Sequence, residues 1–116
     1  MQVVCEIMRL KPECVKEYIS LHENTWPELI AAIRNSGFME EYIYMLDTLV
    51  IVIMKCEDFK SSVERLLSTA IFQKWTAQVR GMLMSDEALF RTSEKIIDLL
   101  PIWNLSDFPD RQEGIR

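Results

Sequence analysis

Residues 38–56 read FMEEYIYMLDTLVIVIMKC. The stretch is rich in β-branched and aromatic residues, and one turn pair, Asp47-Thr48, divides it. That pattern predicts two strands, 38–46 and 48–56, joined as a tight hairpin. The second strand contains LVIVIM, residues 49–54, the longest apolar run in the chain. Side chains alternate across a strand, so an unbroken apolar run puts apolar groups on both faces. Both sides of the sheet therefore need cover.

Working outward, the chain is helical on either side of this hairpin. Upstream, Pro12 suits a first helical turn, and Val15, Tyr18, Ile19 and His22 follow at spacings of three and four. Pro27 disfavours helical geometry at Trp26, so the helix breaks there and restarts. Thr25 with Glu28 has the spacing of a capping box, which makes Thr25 or Trp26 the cap of the second segment. Leu29, Ile30 and Ile33 mark its apolar side, and Gly37 stops it. Downstream, Asp58 is placed to cap a helix carrying Phe59, Val63, Leu66 and Leu67 on one face. A second helix is expected over about 70–84, with Phe72, Trp75, Val79, Met82 and Leu83 on one face.

A strand at each end completes the chain. Residues 2–10, QVVCEIMRL, end before Lys11-Pro12, and residues 94–103, EKIIDLLPIW, contain a proline that belongs at a sheet edge. The order is strand, helix, strand, strand, helix, strand. This is the α+β, ferredoxin-like βαββαβ pattern, an antiparallel sheet with helices on one face. Residues 1–103 form the expected domain and residues 104–116 a polar tail, loosely ordered or docked on a partner. Two helical units cover only one side of the sheet. A second copy of the same sheet is the simplest cover for the other side, so a homodimer is expected. A helix from the tail is the alternative.

Composition narrows the function. The chain has 116 residues, 49% apolar and 27% charged, with a formal net charge of −5. That supports one folded domain. It argues against nucleic-acid binding, which needs a basic face. The N-terminus lacks a signal-peptide pattern, and the apolar run is far shorter than the ~20 residues that span a bilayer. The three cysteines, Cys5, Cys14 and Cys56, include no CxxC pair. They read as free thiols of a cytoplasmic protein, and with one histidine they make a poor zinc set.

His22 is the only histidine. An ordinary imidazole titrates near ~6.5 and can give or take a proton at neutral pH. A lone histidine at a helix end is commonly a capping or surface group. Here Tyr18 shares its helical face, Trp26 follows the break, and Glu23 and Glu28 are close in sequence. A proton donor among aromatic rings suits a sugar, whose apolar face stacks on rings while its hydroxyls hydrogen-bond at the rim. Tyr42 and Tyr44 share one face of their strand, as pocket residues or as cross-strand packing. Trp75 falls in the apolar stripe of its helix. There is no spaced glycosidase carboxylate pair, no phosphate loop and no GxSxG elbow.

The pattern Y-x3-H-x3-W-P-E-L, here Tyr18, His22, Trp26, Pro27, Glu28 and Leu29, resembles the L-rhamnose mutarotase family. Gly37, the strand ending at Leu46-Asp47, and S-T-x3-Q-[KR]-W, here Ser68, Thr69, Gln73, Lys74 and Trp75, fit it too. The match covers about residues 1–100. It implies a dimeric ferredoxin-like α/β barrel and a monosaccharide substrate, and the reaction needs no metal or other cofactor; charge and the short apolar run already speak against a nucleic-acid or membrane partner. It implies that His22 is the catalytic proton donor and that Tyr18 and Trp75 contact the sugar. A strand tyrosine does so in the family, and Tyr42 matches it if one extra residue is allowed after Gly37. Thr76 replaces a second tryptophan, the hairpin is shorter by about three residues, and the C-terminal region is longer. The implied activity is interconversion of α and β anomers of a 6-deoxy sugar, L-rhamnose first and L-fucose as the alternative. Two rivals share the fold class: a haem-handling or cofactor-free monooxygenase, and a binding module without catalysis.

Overall fold

The computed structural model describes residues 1–84 and 96–109. Strand β1 (Gln2–Arg9) leads through a 3-10 turn at Pro12–Cys14 into helix α1 (Val15–Glu23). Helix α2 (Pro27–Asn35) follows the Trp26-Pro27 break. The hairpin is strand β2 (Phe38–Leu46) and strand β3 (Leu49–Cys56). Helices α3 (Phe59–Leu67) and α4 (Ala70–Arg80) precede strand β4 (Ile96–Leu99). The sheet is antiparallel in the order β2-β3-β1-β4, which is the ferredoxin-like arrangement predicted from the sequence.

The hairpin closes on the predicted pair, with Leu46 opposite Leu49 and Asp47 at φ 61. Aspartate tolerates this left-handed geometry better than most residues. Gly37 stands just beyond α2 at φ 108, and a methyl group added there would meet Ser62 Oγ at 2.7 Å. Only glycine fits that close approach without strain. Asp58 caps α3 as expected, accepting from the Ser61 N–H at 3.4 Å.

Three expectations need correction. The capping box does not form. Trp26 is the N-cap of α2 without a side-chain acceptor, while Thr25 Oγ1 donates backward to the His22 carbonyl and helps close α1. Helix α4 stops at Arg80 instead of running to residue 84. Residues 82–84 turn back along the end of β1, where the Lys11 N–H bonds the Met82 carbonyl and the Met84 N–H bonds that of Arg9. Strand β4 is shorter than residues 94–103. It pairs only with Val3–Glu6 and ends before Pro101, which has no N–H to give a ladder. Residues 94–95 of that predicted strand, and 110–116 of the predicted tail, lie outside the described residues.

The register sorts the sheet into two faces. Val50, Val52, Met54 and Cys56 of β3 are buried against the helices, with Leu10, Tyr18, Phe38, Leu66 and Met82 in the same core. Cross-strand pairing puts Val4 and Glu41 beside Met54, and Glu6 and Ile43 beside Val52, on this same face. The opposite face carries Ile51 and Ile53, which stay half-buried, together with Tyr42, Tyr44, Leu46, Ile97 and Leu99, which are exposed.

Candidate active site

The break at Trp26-Pro27 fixes where His22 points. His22 lies in the last turn of α1, and its Nδ1 donates to the Tyr18 carbonyl oxygen at 2.8 Å. A carbonyl only accepts, so Nδ1 carries a hydrogen and, in the neutral ring, Nε2 carries the lone pair. Nε2 has no hydrogen bond from any described residue. It is therefore the nitrogen that can exchange a proton with a ligand.

Aromatic rings hold the imidazole in place. The Tyr18 ring centroid lies 4.2 Å away, tilted by 36°. Trp75 of α4 meets the imidazole edge-on at 5.1 Å, and Trp26 meets Trp75 edge-on at 4.9 Å. Tyr18 and Trp75 are buried, at 3% and 7% exposed. These contacts tie the break after α1 to α4, on which the second sequence motif lies. Lys74 Nζ sits 5.3 Å from the Trp26 ring centroid, a cation–π contact at the rim.

A cleft of about 290 Å³ opens beside His22. Trp75 and Arg34 line it from the helices, Thr25 from the break between α1 and α2, and Glu40, Glu41 and Ile43 from β2. Ligand sites begin at roughly this size.

The predicted site residues divide into two groups. His22, Tyr18 and Trp75 come together, but only His22 and Trp75 line the cleft; Tyr18 is buried behind the imidazole, where a direct sugar contact was expected. Tyr42 does not join them. It stands opposite Ile53, on the sheet face turned away from the helices, 46% exposed, and its hydroxyl donates to Glu40 Oε1 at 2.5 Å. Tyr44 shares that face and stacks near Tyr42 at 6.5 Å. The cause is a bulge. The β2–β3 register shifts between Phe38 and Glu40, so Met39 is the extra residue in the strand. Glu41, four residues after Gly37, faces the helices where the tyrosine was expected.

Glu6 and Glu41 are the functional candidates that sequence reasoning missed. Glu41 opens to the solvent of the cleft while protein closes around its other sides. Burial raises its carboxyl above the ordinary range, and the charge of Glu6 adds to the rise. Burial likewise pushes the Glu6 carboxyl up. The Tyr18 hydroxyl is pushed well above its usual value by burial, then by Glu6 and Glu41. The charge of Glu6 thus reaches Glu41 and Tyr18, and that of Glu41 reaches Tyr18. A signal for Glu6 was present in the sequence, as a charge between Val4 and Met8 at the inward beat of an apolar strand. Among the described residues, no group of three histidine, cysteine or acidic side chains is arranged to hold a metal ion.

A family model described as L-rhamnose mutarotase matches residues 3–105. The chain belongs to the L-rhamnose mutarotase family. That makes it an isomerase-type protein of carbohydrate metabolism. An L-rhamnose mutarotase of Listeria monocytogenes is 28% identical over 109 residues, covering 91% of this chain and 100% of the relative. One from Burkholderia orbicola is 28% identical over 86 residues, covering 72% and 81%. Among solved structures, an L-rhamnose mutarotase from Formosa agariphila superposes with a TM-score of 0.64 at 16% identity, covering 90% of this chain and 99% of that one. An antibiotic biosynthesis monooxygenase superposes almost as well, with a TM-score of 0.63 at 13% identity, covering 88% and 99%. Fold likeness thus does not separate L-rhamnose mutarotases from monooxygenases, and the sequence family does.

Proposed function

We propose that this protein is an aldose mutarotase that interconverts the α and β anomers of a 6-deoxy sugar, L-rhamnose first and L-fucose as the alternative. The observation that carries the reading is His22. Its Nδ1 is anchored to a backbone carbonyl, which leaves Nε2 available at a cleft of sugar size. Mutarotation breaks the bond between C1 and the ring oxygen, makes a carbonyl at C1, and recloses the ring on the other carbonyl face. One group takes the anomeric hydroxyl proton while another protonates the ring oxygen, and closure reverses both transfers. In this reading the His22 imidazolium donates to the ring oxygen from Nε2. Trp75 offers an apolar wall for the sugar ring, and Tyr18 holds the imidazole from its other side.

The reading includes a homodimer. Ile51, Ile53, Tyr42, Tyr44, Leu46, Ile97 and Leu99 form an apolar face that the helices of the same chain leave open. Leu100, Ile102, Trp103, Leu105 and Phe108 beyond β4 are exposed too, with Trp103 stacked on Phe108 at 5.4 Å. Surfaces of this kind mark association sites. A second copy of the sheet would cover the face.

Saturation-transfer NMR on L-rhamnose, L-fucose and other aldoses tests the activity. The expected result is anomeric exchange faster than the spontaneous rate for one 6-deoxy sugar. No acceleration for any sugar would leave a binding module without catalysis. Light scattering tests the assembly, and a monomer at micromolar concentration would refute the dimer.

A further inference from the structure

Ring opening needs two proton-transfer groups, and His22 is one of them. The second is unassigned in the reading above, on which this inference rests. Arg34 stays protonated at any working pH and is no base. Thr25 spends its hydroxyl hydrogen on the His22 carbonyl. Glu40 accepts the Tyr42 hydroxyl at 2.5 Å and lies 3.9 Å from Lys55 Nζ, both partners on the other side of the sheet. The Tyr18 hydroxyl is held protonated by its burial and by two neighbouring carboxylates. Glu41 remains. It lines the same cleft as His22 and projects from the helix-facing side of β2.

We propose that Glu41 is the second proton-transfer residue, working opposite His22. On opening, the Glu41 carboxylate takes the anomeric hydroxyl proton, the C1–oxygen bond of the ring breaks, and the His22 imidazolium protonates the ring oxygen. The open aldehyde then faces a neutral imidazole and a protonated carboxyl. After rotation about C1–C2 the same groups run backward. Imidazole takes the proton from the attacking hydroxyl, the ring bond re-forms on the other face, and Glu41 returns its proton to the anomeric oxygen. The pair ends the cycle in the state in which it began, so no proton need come from solvent.

The surroundings of Glu41 suit this exchange. A carboxylate at its ordinary value gives a proton up too readily to hold it while the sugar rotates. Burial and the charge of Glu6 on β1 raise the Glu41 carboxyl above its ordinary value, so it holds a proton more firmly than a free carboxylate does. The other groups facing it are Tyr18 and His22 on α1, Arg34 on α2 and Glu40 beside it on β2. Glu6 acts through Glu41 and is a positioning residue.

The test compares wild type, His22→Asn, Glu41→Gln and Glu6→Gln by saturation-transfer NMR, with circular dichroism as the check on folding. Glu41→Gln keeps the shape of the side chain and removes the base. It is expected to lose ~10²–10⁴ of the catalysed exchange while sugar binding in a titration is retained. Glu41→Ala is expected to regain exchange when formate is added. Glu6→Gln is expected to move the carboxyl limb of the pH–rate profile to lower pH. Wild type active, His22→Asn inactive and Glu41→Gln within a few-fold of wild type would overturn this inference alone. An unmoved limb in Glu6→Gln would overturn the role of Glu6. Inactive wild type on every sugar would overturn the mutarotase reading and this inference with it. If Glu41→Gln fails to fold, Glu41→Asp with its shorter carboxylate decides, and full exchange there without a shift in the pH profile counts against the role.

Discussion

The His22→Asn substitution separates chemistry from architecture at a single position. The Asn24 amide nitrogen already donates to the Ser20 carbonyl at 2.9 Å, four residues back in the same helix. An asparagine at position 22 can make the same bond to the Tyr18 carbonyl that His22 Nδ1 makes now. What disappears is Nε2 and the ring. The ring contacts with Tyr18 and Trp75 each contribute about 0.5–1.5 kcal/mol beyond the area they bury. Their loss destabilises the fold by about 1–3 kcal/mol, a fall of roughly 5–20 °C in melting temperature for a domain of this size. The protein stays folded at room temperature. Removing a positioned proton donor slows the reaction by ~10²–10⁴-fold, a barrier increase of about 3–5 kcal/mol. Saturation-transfer NMR at 25 °C on the folded variant reads the rate directly. Turnover at the wild-type level in folded His22→Asn would refute the assignment of Nε2 as the proton donor. A loss of turnover matched by a loss of fold would refute the claim that the amide replaces the anchor.

Other substitutions probe the frame around the site. Gly37→Ala introduces a methyl group at φ 108 that meets Ser62 Oγ at 2.7 Å and Arg65 Nη2 at 3.0 Å. It also threatens the Arg65 Nε bond to the Ser36 carbonyl at 3.1 Å. The left-handed backbone costs about 1–2 kcal/mol and a disturbed hydrogen bond about 1 more. Urea denaturation should show a loss of about 2–3 kcal/mol, and a loss under about 0.5 kcal/mol would contradict the packing. Glu6→Gln should stabilise the protein at pH 8 and not at pH 4. The Glu6 carboxyl is raised on folding, so the native state binds its proton more tightly than the unfolded chain. That contribution is present below the ordinary carboxyl range and is lost as pH rises through the raised value. Melting curves at both pH values check it, and a variant less stable than wild type at pH 8 would contradict the sign. Tyr42→Phe should leave kcat/KM within two-fold, because Tyr42 lies on the other sheet face. A ten-fold rise in KM would return Tyr42 to the pocket.

The parts of the fold legible in the sequence were those that local chemistry decides. Asp47-Thr48 could only be a turn between two β-rich runs, Pro27 had to break the first helix, and Asp58 stood where a cap was needed. Tyr18 and His22 could be grouped because helical spacing and one specific motif agreed, whereas Trp75 fell in an apolar stripe and joined them only through the family resemblance. The capping role of Thr25 was misread because one hydroxyl can serve either of two helix ends. It closes α1 at the His22 carbonyl, and Trp26 starts α2 without it. The end of α4 was misread because Met82 and Leu83 are apolar and continue the helical stripe. Their burial comes instead from a return along β1, a tertiary pairing with no local mark.

The face of β2 was the costliest thing to misjudge. One residue of slip moves every side chain of a strand to the other side. The bulge at Met39 makes such a slip invisible to a count from Gly37. Counting with an extra residue puts Tyr42 in the pocket; the register puts Glu41 there. The two side chains differ in kind. An ordinary phenol, titrating near ~10, is protonated at neutral pH and can orient a sugar hydroxyl without holding negative charge. A carboxylate raised by burial and a neighbouring charge can take a proton and return it. Glu6 follows the same logic. A glutamate at the inward beat of a central strand disturbs an apolar core unless it serves something beside it, and its charge falls on Glu41 and Tyr18. Two positions on two strands thus place acidic groups on the helix-facing side of one sheet. That coincidence argues that both carboxyls belong to the site's chemistry, and the paired variants Glu6→Gln and Glu41→Gln should show coupling: the shift that Glu6→Gln causes in the pH–rate profile should vanish once Glu41 is gone.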